Sequence, residues 1–367
     1  MTEVCAAAHK EFDFLAEGDS QNAVADMLSK PAPHRATYKM VDPFYWVARP
    51  FYRPPVQVPR TVPGLVSPTV LVMQKCQGST LTRLSQELNA DPDLDRVAAG
   101  RKIVSYRLLE NLSEAFARMV FEAPGITHGD PHPGNILMVL SATPLRVEVA
   151  LVDWGQICTI SEDMQLHLAR LVVAMTESGS GSPPLTQTLD ADDHLDTGGS
   201  SSSNQIRATR HNVAVAEAME LLGIEFEGRE KCHYDAHGTR ISTRQTPTEK
   251  TERAGDSTNV KGMGGDGVRD GRLPPWTEEP PVKSAAATAL ATHFFDTTPL
   301  SPPWEDHPLS EAHPLRTLRV TNFPKDLILT VRAVQILKAI SEDAGLEEWD
   351  LAQRWRPHAL HVLKHPT

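Results

Sequence analysis

ITHGDPHPGNIL, residues 126–137, packs two histidines, an aspartate, two prolines, a glycine and an asparagine into a polar run that opens into an apolar tail. Asp130 and Asn135 stand as D-x4-N. Pro131 and Pro133 between them stiffen the turn, because each ring fixes its own φ and restricts the residue before it. The pattern predicts a loop that holds a carboxylate and a carboxamide side by side. Downstream, NILMVL and VEVALVDWG are short β-rich runs separated by SATPLR, which predicts a hairpin whose second strand delivers Asp153 back to the loop.

That geometry suits one chemistry well. Phosphoryl transfer from ATP needs a carboxylate beside the attacking hydroxyl and further oxygen ligands that hold magnesium against the phosphates. D-x4-N is the spacing by which a kinase catalytic loop places a base and a metal ligand, and Asp153 stands where the second magnesium-binding aspartate follows. Magnesium takes few protein ligands and favours carboxylate and amide oxygens. Asp130 is therefore the candidate catalytic residue, and Asn135 and Asp153 are the candidate metal ligands. A competing reading takes His128, Asp130 and His132 as zinc or manganese ligands in H-x-D-x-H. A blander one has Asp130 and Asn135 merely shaping a turn. His128 is expected to pack against the loop and bond the backbone, and His132 to help orient Asp130.

Working outward, KIVSYRLLENLSEAFARMVFEA (102–123) sets Ile103, Leu108, Leu109, Leu112, Phe116, Met119 and Val120 at helical spacing and leads into the loop. MQLHLARLVVAM (164–175) predicts a second core helix. Nearer the start, KEFDFLAEGDSQNAVADMLSK predicts a helix with Phe12, Leu15, Val24, Met27 and Leu28 on its apolar side, weakened by Gly18 and stopped by Pro31 and Pro33. Residues 31–57 form an irregular, aromatic-rich excursion, expected to pack locally rather than on a membrane. TVLVMQKCQG (69–78) predicts a buried strand running into a turn. Residues 178–206 and 229–283 are polar and Gly/Ser-rich, too poor in apolar residues to offset the entropy of ordering, so both are expected to be disordered. Within the second, GMGGDG (262–267) satisfies GxGxxG but has neither a preceding strand nor a following helix, and a flexible linker is the better reading. VAVAEAMELLGIEF (213–226), SAAATALATHFF, LILTVRAVQILKAISEDAGL and WDLAQRWRPHALHVL predict further helices.

With 367 residues, 40% hydrophobic and 23% charged, the chain can bury an ordinary core. A net charge of -11 and a pI near 5.7 argue against a sequence-independent nucleic-acid binder. Cys5, Cys76, Cys158 and Cys232 form no CxxC pair, which fits free thiols and offers no zinc site. No apolar run approaches the roughly 18 residues a membrane-spanning helix needs. The first twenty residues carry five acidic side chains, the wrong composition for a targeting segment.

HGDPHPGNIL and LVDWG, with EFDFLAEGDSQNA upstream and LTVRAVQILKAISEDAGL and RWRPHALHVL downstream, together resemble the UbiB and aarF-domain family of atypical kinases. The resemblance implies an α+β, protein-kinase-like fold. A partial N-lobe would span residues 1–84 and a mainly helical C-lobe would follow, with its core at 85–177, a helix at 207–228 and a helical end at 284–367. It implies binding of ATP with magnesium, an ATPase or unorthodox kinase activity, and a link to ubiquinone or other isoprenoid-lipid metabolism, with an isoprenoid lipid or membrane surface as partner and a mitochondrial or plastid setting. Glu11 and Asp13 match the family's E-x-D element, and Glu17 matches the helix glutamate that pairs with the ATP-binding lysine. Val70 to Gln77 resemble the strand ending at the hinge beneath adenine, which makes Gln74 and Cys76 nucleotide-contact candidates; Gln74 stands where a glutamate is usual. The family's K-x-G-Q element, Ala-rich loop and strand lysine precede that glutamate helix and have no counterpart in the ten residues before Glu11, so the sequence reads as starting inside the N-lobe. A small-molecule phosphotransferase of the aminoglycoside or choline type and a non-catalytic pseudokinase scaffold are the alternatives.

Overall fold

In the computed structural model, which describes residues 13–33, 52–89, 94–140, 147–177, 200–227, 233–234, 240–241, 276, 281–307, 309–346 and 348–365, the first element is a capped helix. In α1 (Phe14–Leu28) the Asp13 side chain accepts from the N–H of Ala16 at 3.2 Å, satisfying one of the helix's open donors. Val24, Met27 and Leu28 are buried as expected, but Leu15 is 44% exposed. Gly18, expected only to weaken the helix, marks its closest packing. A Cβ there would lie 3.1 Å from Thr61 Cγ2 and 3.4 Å from Leu71 Cδ1.

Those two residues belong to an antiparallel hairpin of β1 (Thr61–Ser67) and β2 (Val70–Met73). The sequence hides β1, because Pro63 and Gly64 interrupt its β pattern; Gly64 takes φ +77° and the register slips between Thr61 and Val66. β2 is not the buried strand its apolar run predicts. Leu71 faces α1, while Val70 and Val72 point the other way and stay exposed, as alternation requires of a strand packed on one face.

Residues 74–78 lead to β3 (Ser79–Thr80), α2 (Leu81–Asn89), α3 (Leu94–Phe121), β4 (Ile126–His128), β5 (Ile136–Leu140), β6 (Val147–Leu151), β7 (Ile157–Thr159) and α4 (Glu162–Thr176). β5 and β6 form the predicted hairpin, in register from Ile136 opposite Leu151 to Leu140 opposite Val147, and β3 adds to the outer edge of β5. β4 and β7, each too short to leave a sequence pattern, make a separate antiparallel pair. Loop 129–135 is thus strung between two small sheets. Gln57 bridges to the free side of β6: its N–H donates to Val149 O at 2.7 Å and its carbonyl accepts from Leu151 N at 3.0 Å. In α3 the expected residues are buried except Ile103, 51% exposed where the helix runs past the core.

The remaining elements are α5 (Ser200–Leu221), β8 (Glu225–Phe226), β9 (His233–Tyr234), β10 (Arg240–Ile241), α6 (Pro281–Phe295), α7 (Pro314–Thr317), β11 (Val320–Asn322), α8 (Lys325–Asp343) and α9 (Leu351–Lys364). α9 packs on α3 and α4, with Trp355 buried and its Nε1 donating to Ser113 O at 3.2 Å, and α8 packs on α3 and on the β4–β7 pair. α5 begins inside the first polar stretch. The rest of that stretch, most of the second and the GMGGDG run lie outside the described residues. Among the described residues no helix is long and apolar enough to cross a membrane. The architecture is mixed helix and sheet, an α+β arrangement as expected.

One buried ion pair ties α1 to this framework. Arg118 of α3, 1% exposed, forks onto Glu122 with Nε to Oε1 and Nη2 to Oε2, both at 2.8 Å. Its remaining donors reach the chain at the end of α1: Met27 O at 2.8 Å, Leu28 O at 3.3 Å and Lys30 O at 2.7 Å, with the Tyr52 hydroxyl at 2.9 Å. The carbonyls a helix leaves open at its C-terminus are thus satisfied by a cation, which the helix dipole also favours.

Candidate active site

The loop after β4 is fixed from within. Gly129 N donates to Gln156 O at 2.8 Å, His132 N to Asp130 O at 2.8 Å and Asn135 N to His132 O at 2.8 Å. Gly129 has no room for a side chain, since a Cβ would sit 2.8 Å from Leu329 Cδ1 of α8 and 3.1 Å from Gln156 O. His128 is fully buried, as the sequence reading expects, and works in both directions: Nδ1 accepts from Asp130 N at 3.2 Å, and Nε2 lies 3.0 Å from Val152 O. Burial pushes its pKa down, so the ring is the neutral tautomer that donates through Nε2. Both ring nitrogens are then occupied, which leaves His128 no lone pair for a metal and removes the H-x-D-x-H reading. The His132 ring does not turn to Asp130; its Nδ1 accepts from Gly134 N at 3.0 Å.

Asn135 is the centre of the arrangement. It is 7% exposed, and its Nδ2 donates to Asp130 O at 3.1 Å and lies 3.5 Å from Asp153 Oδ2. With the amide nitrogen so placed, Oδ1 is the atom left for a cation. Asp153 has φ 66°, the sole positive φ of a non-glycine among the described residues, a conformation that costs an L-residue about 1–2 kcal/mol. Strain of this kind persists where the surroundings over-determine a backbone, often at functional sites. Here Trp154 fixes it: the indole is fully buried, lies 4.8 Å from the His128 ring and donates from Nε1 to Leu151 O at 3.1 Å.

Glu17 reaches the same place from α1. Its Oε1 accepts from Trp154 N at 3.2 Å, and a Cβ on Gly155 would be 3.6 Å from both Glu17 Oε2 and Asp153 Oδ1. Burial raises the Glu17 pKa, the Trp154 N–H pulls it part of the way back, and the Asp153 charge raises it again. Among the described residues no lysine or arginine pairs with Glu17. Glu17 and Asp153 thus set two carboxylates close together without a basic partner, the kind of oxygen donors a hard divalent cation takes.

Asp130 is held differently. Its Oδ1 lies 2.7 Å from Nη2 of Arg332, which projects from α8. No sequence signal marks Arg332, one arginine on an ordinary amphipathic helix. Of the other candidates, Asp13 is exposed as the α1 cap, Gln74 is exposed with its N–H on Arg60 O at 2.8 Å, and Cys76 is half-buried with its thiol pKa raised by burial. Glu11, Phe12 and Cys232 lie outside the described residues.

Comparison with known proteins bears on the segment that holds this loop and this turn. The ABC1 atypical kinase-like domain matches residues 1–181. Residues 1–181 belong to the ABC1 atypical kinase-like family. The UbiB and aarF resemblance carried by the motifs is borne out by relatives of the same kind. AarF domain-containing kinase 1 of Drosophila melanogaster is 27% identical over 162 residues, 44% of this chain and 24% of that protein. AarF domain-containing protein kinase 1 of Gallus gallus is 24% identical over 168 residues, 46% of this chain and 26% of that protein. An uncharacterised protein from a hydrogenase 1 5′ region of Clostridium pasteurianum is 29% identical over 120 residues, 33% of this chain and 19% of that protein. The matched part thus spans about a quarter or less of these relatives' lengths. The ABC1 segment contains Glu17, Asp130, Asn135 and Asp153; α8 and Arg332 lie beyond it.

Proposed function

We propose that this chain is an atypical kinase or ATPase of the UbiB type that binds ATP with magnesium, and that it serves ubiquinone or related isoprenoid-lipid metabolism. In this reading α1 with the β1–β2 hairpin is the N-lobe side and residues 74–78 the hinge, where Gln74 and Cys76 would line the nucleotide. Asp130 accepts the proton of the attacking hydroxyl. Asn135 Oδ1 and Asp153 would hold magnesium, whose charge, when bound, neutralises the ATP phosphates. Glu17 fixes the Trp154 backbone and with it the aim of Asp153.

The observation that carries the reading is the convergence on Asn135: one amide nitrogen joins the Asp130 backbone to the Asp153 carboxylate, so the base and the cation ligands form a single unit. The relatives' description as AarF domain-containing kinases supports the same chemistry. The lipid link rests on the family resemblance.

The test is a titration of Mg-ATP followed by thermal unfolding, with wild type beside Asp153→Ala. One native site at 100 times its dissociation constant should stabilise the protein by about 2.7 kcal/mol. The expected result is stabilisation in wild type that is lost in the variant; no stabilisation of wild type would refute the ATP reading.

A further inference from the structure

We propose that Arg332 is an anion receptor: it closes on Asp130 in the free protein and is drawn off by a phosphate or carboxylate group on the acceptor. The proposal rests on the assignment of Asp130 as the carboxylate that meets the acceptor, and extends the site to a helix outside the ABC1 segment.

Position comes first. α8 is fixed at two points, Leu329 on Gly129 of the loop and the Asp326 carbonyl, which accepts from Cys158 Sγ of β7 at 3.0 Å. The backbone that carries Arg332 is therefore anchored, while its side chain is 48% exposed. Its helical neighbours at three and four positions, Ile328, Leu329, Gln335 and Ile336, include no acid that would hold it elsewhere.

The contact itself is suited to exchange. Nη2 stands 2.7 Å from Oδ1 of Asp130, yet the approach is not that of an aligned hydrogen bond, and Oδ1 is sealed from water with no such bond at all. The guanidinium end of the pair is half-exposed and the carboxylate end 18% exposed, so Coulomb attraction without an aligned hydrogen bond is what holds them. An acceptor hydroxyl would need this carboxylate, and the guanidinium lies on one of its oxygens. A planar guanidinium takes phosphate or carboxylate in a two-pronged contact far better aligned than the one it makes here. An acceptor bearing such a group would uncover Asp130 as it docks, whereas water and neutral alcohols would leave the pair closed. Ile328, 51% exposed and one turn before Arg332 on the same face, adds an apolar surface beside the receptor.

The probe is inorganic phosphate, followed by melting temperature, in wild type, Asp130→Asn and Asp130→Asn/Arg332→Gln, with Asp130→Ala as a second background should the amide perturb the loop. Releasing Arg332 from Asp130 should make the single variant respond to phosphate with a concentration-dependent rise larger than that of wild type, and the double variant should lose the response. Equal responses in single and double variants, or no gain over wild type, would overturn the proposal. If phosphate instead loses its effect but Arg332→Gln alone weakens Mg-ATP binding severalfold, the arginine serves the nucleotide and the acceptor role falls. Mg-ATP titrated into wild type decides the ATP reading separately, because the phosphate response requires no nucleotide.

Discussion

Replacing Arg118 with methionine should cost about 3–5 kcal/mol, the range for removing one partner of a buried ion pair. Methionine keeps the apolar stem, so the loss is that of the guanidinium. Glu122, with 11% of its side chain exposed, would be left without its fork, and Met27, Leu28 and Lys30 would lose the donor that closes the end of α1. Burial lowers the Arg118 pKa, but the Glu122 bonds and charge, with smaller contributions from Tyr52 and Glu114, reverse this, so the side chain stays charged and the pair is complete. Urea unfolding with an unchanged slope reads the loss as a shift in midpoint. Arg118→Met/Glu122→Leu should recover part of it, because the orphaned carboxylate is then gone. A loss below about 1 kcal/mol for the single variant would refute the reasoning and reduce Arg118 to a space-filling side chain.

Two other outcomes follow from the geometry. Asp296 is raised from 3.8 to about 6, first by burial and then by Asp350, so the native state holds a proton that the unfolded chain has already released. Its contribution is complete below pH 3.8 and is lost as pH rises to about 6, amounting to about 3 kcal/mol. Asp296→Asn keeps the acceptor for Thr297, Leu351 and Ala352 N–H; its stability relative to wild type should therefore climb across that window, and a pH-independent difference in urea midpoints would contradict this. Gly78→Ala should cost about 2 kcal/mol or more by thermal unfolding, since φ is +116° and the new Cβ would stand 2.7 Å from Met138 O, a backbone atom that cannot move aside; a neutral substitution would contradict the packing.

What the sequence makes legible is what is local. Asp130, Asn135 and Asp153 lie around one hairpin, 5 and 18 positions apart, so a loop pattern and two β-rich runs suffice to bring them together. The buried faces of α3 and α4 follow from 3.6-residue periodicity for the same reason. Periodicity cannot say where a core ends, and so Leu15, Ile103 and Val70 are apolar and exposed. β4 and β7, three residues each, are too short to carry any period. The arginines are the furthest from reach. Arg118 meets carbonyls some 90 positions away and Arg332 meets a carboxylate across the whole C-terminal half, and neither contact leaves a trace in the residues beside it.

The β1–β2 hairpin is rooted at two places: Gln57, bonded along β6, and Gly78, wedged on Met138 of β5, with Leu81 N held at 3.1 Å by Pro133 O just beyond. Arg118, on the Met27 and Lys30 carbonyls, adds a third mooring at the far end of α1. The segment is thus held to the sheet and to α3 together, and the Glu17 bond to Trp154 ties the placement of α1 to the turn that carries Asp153.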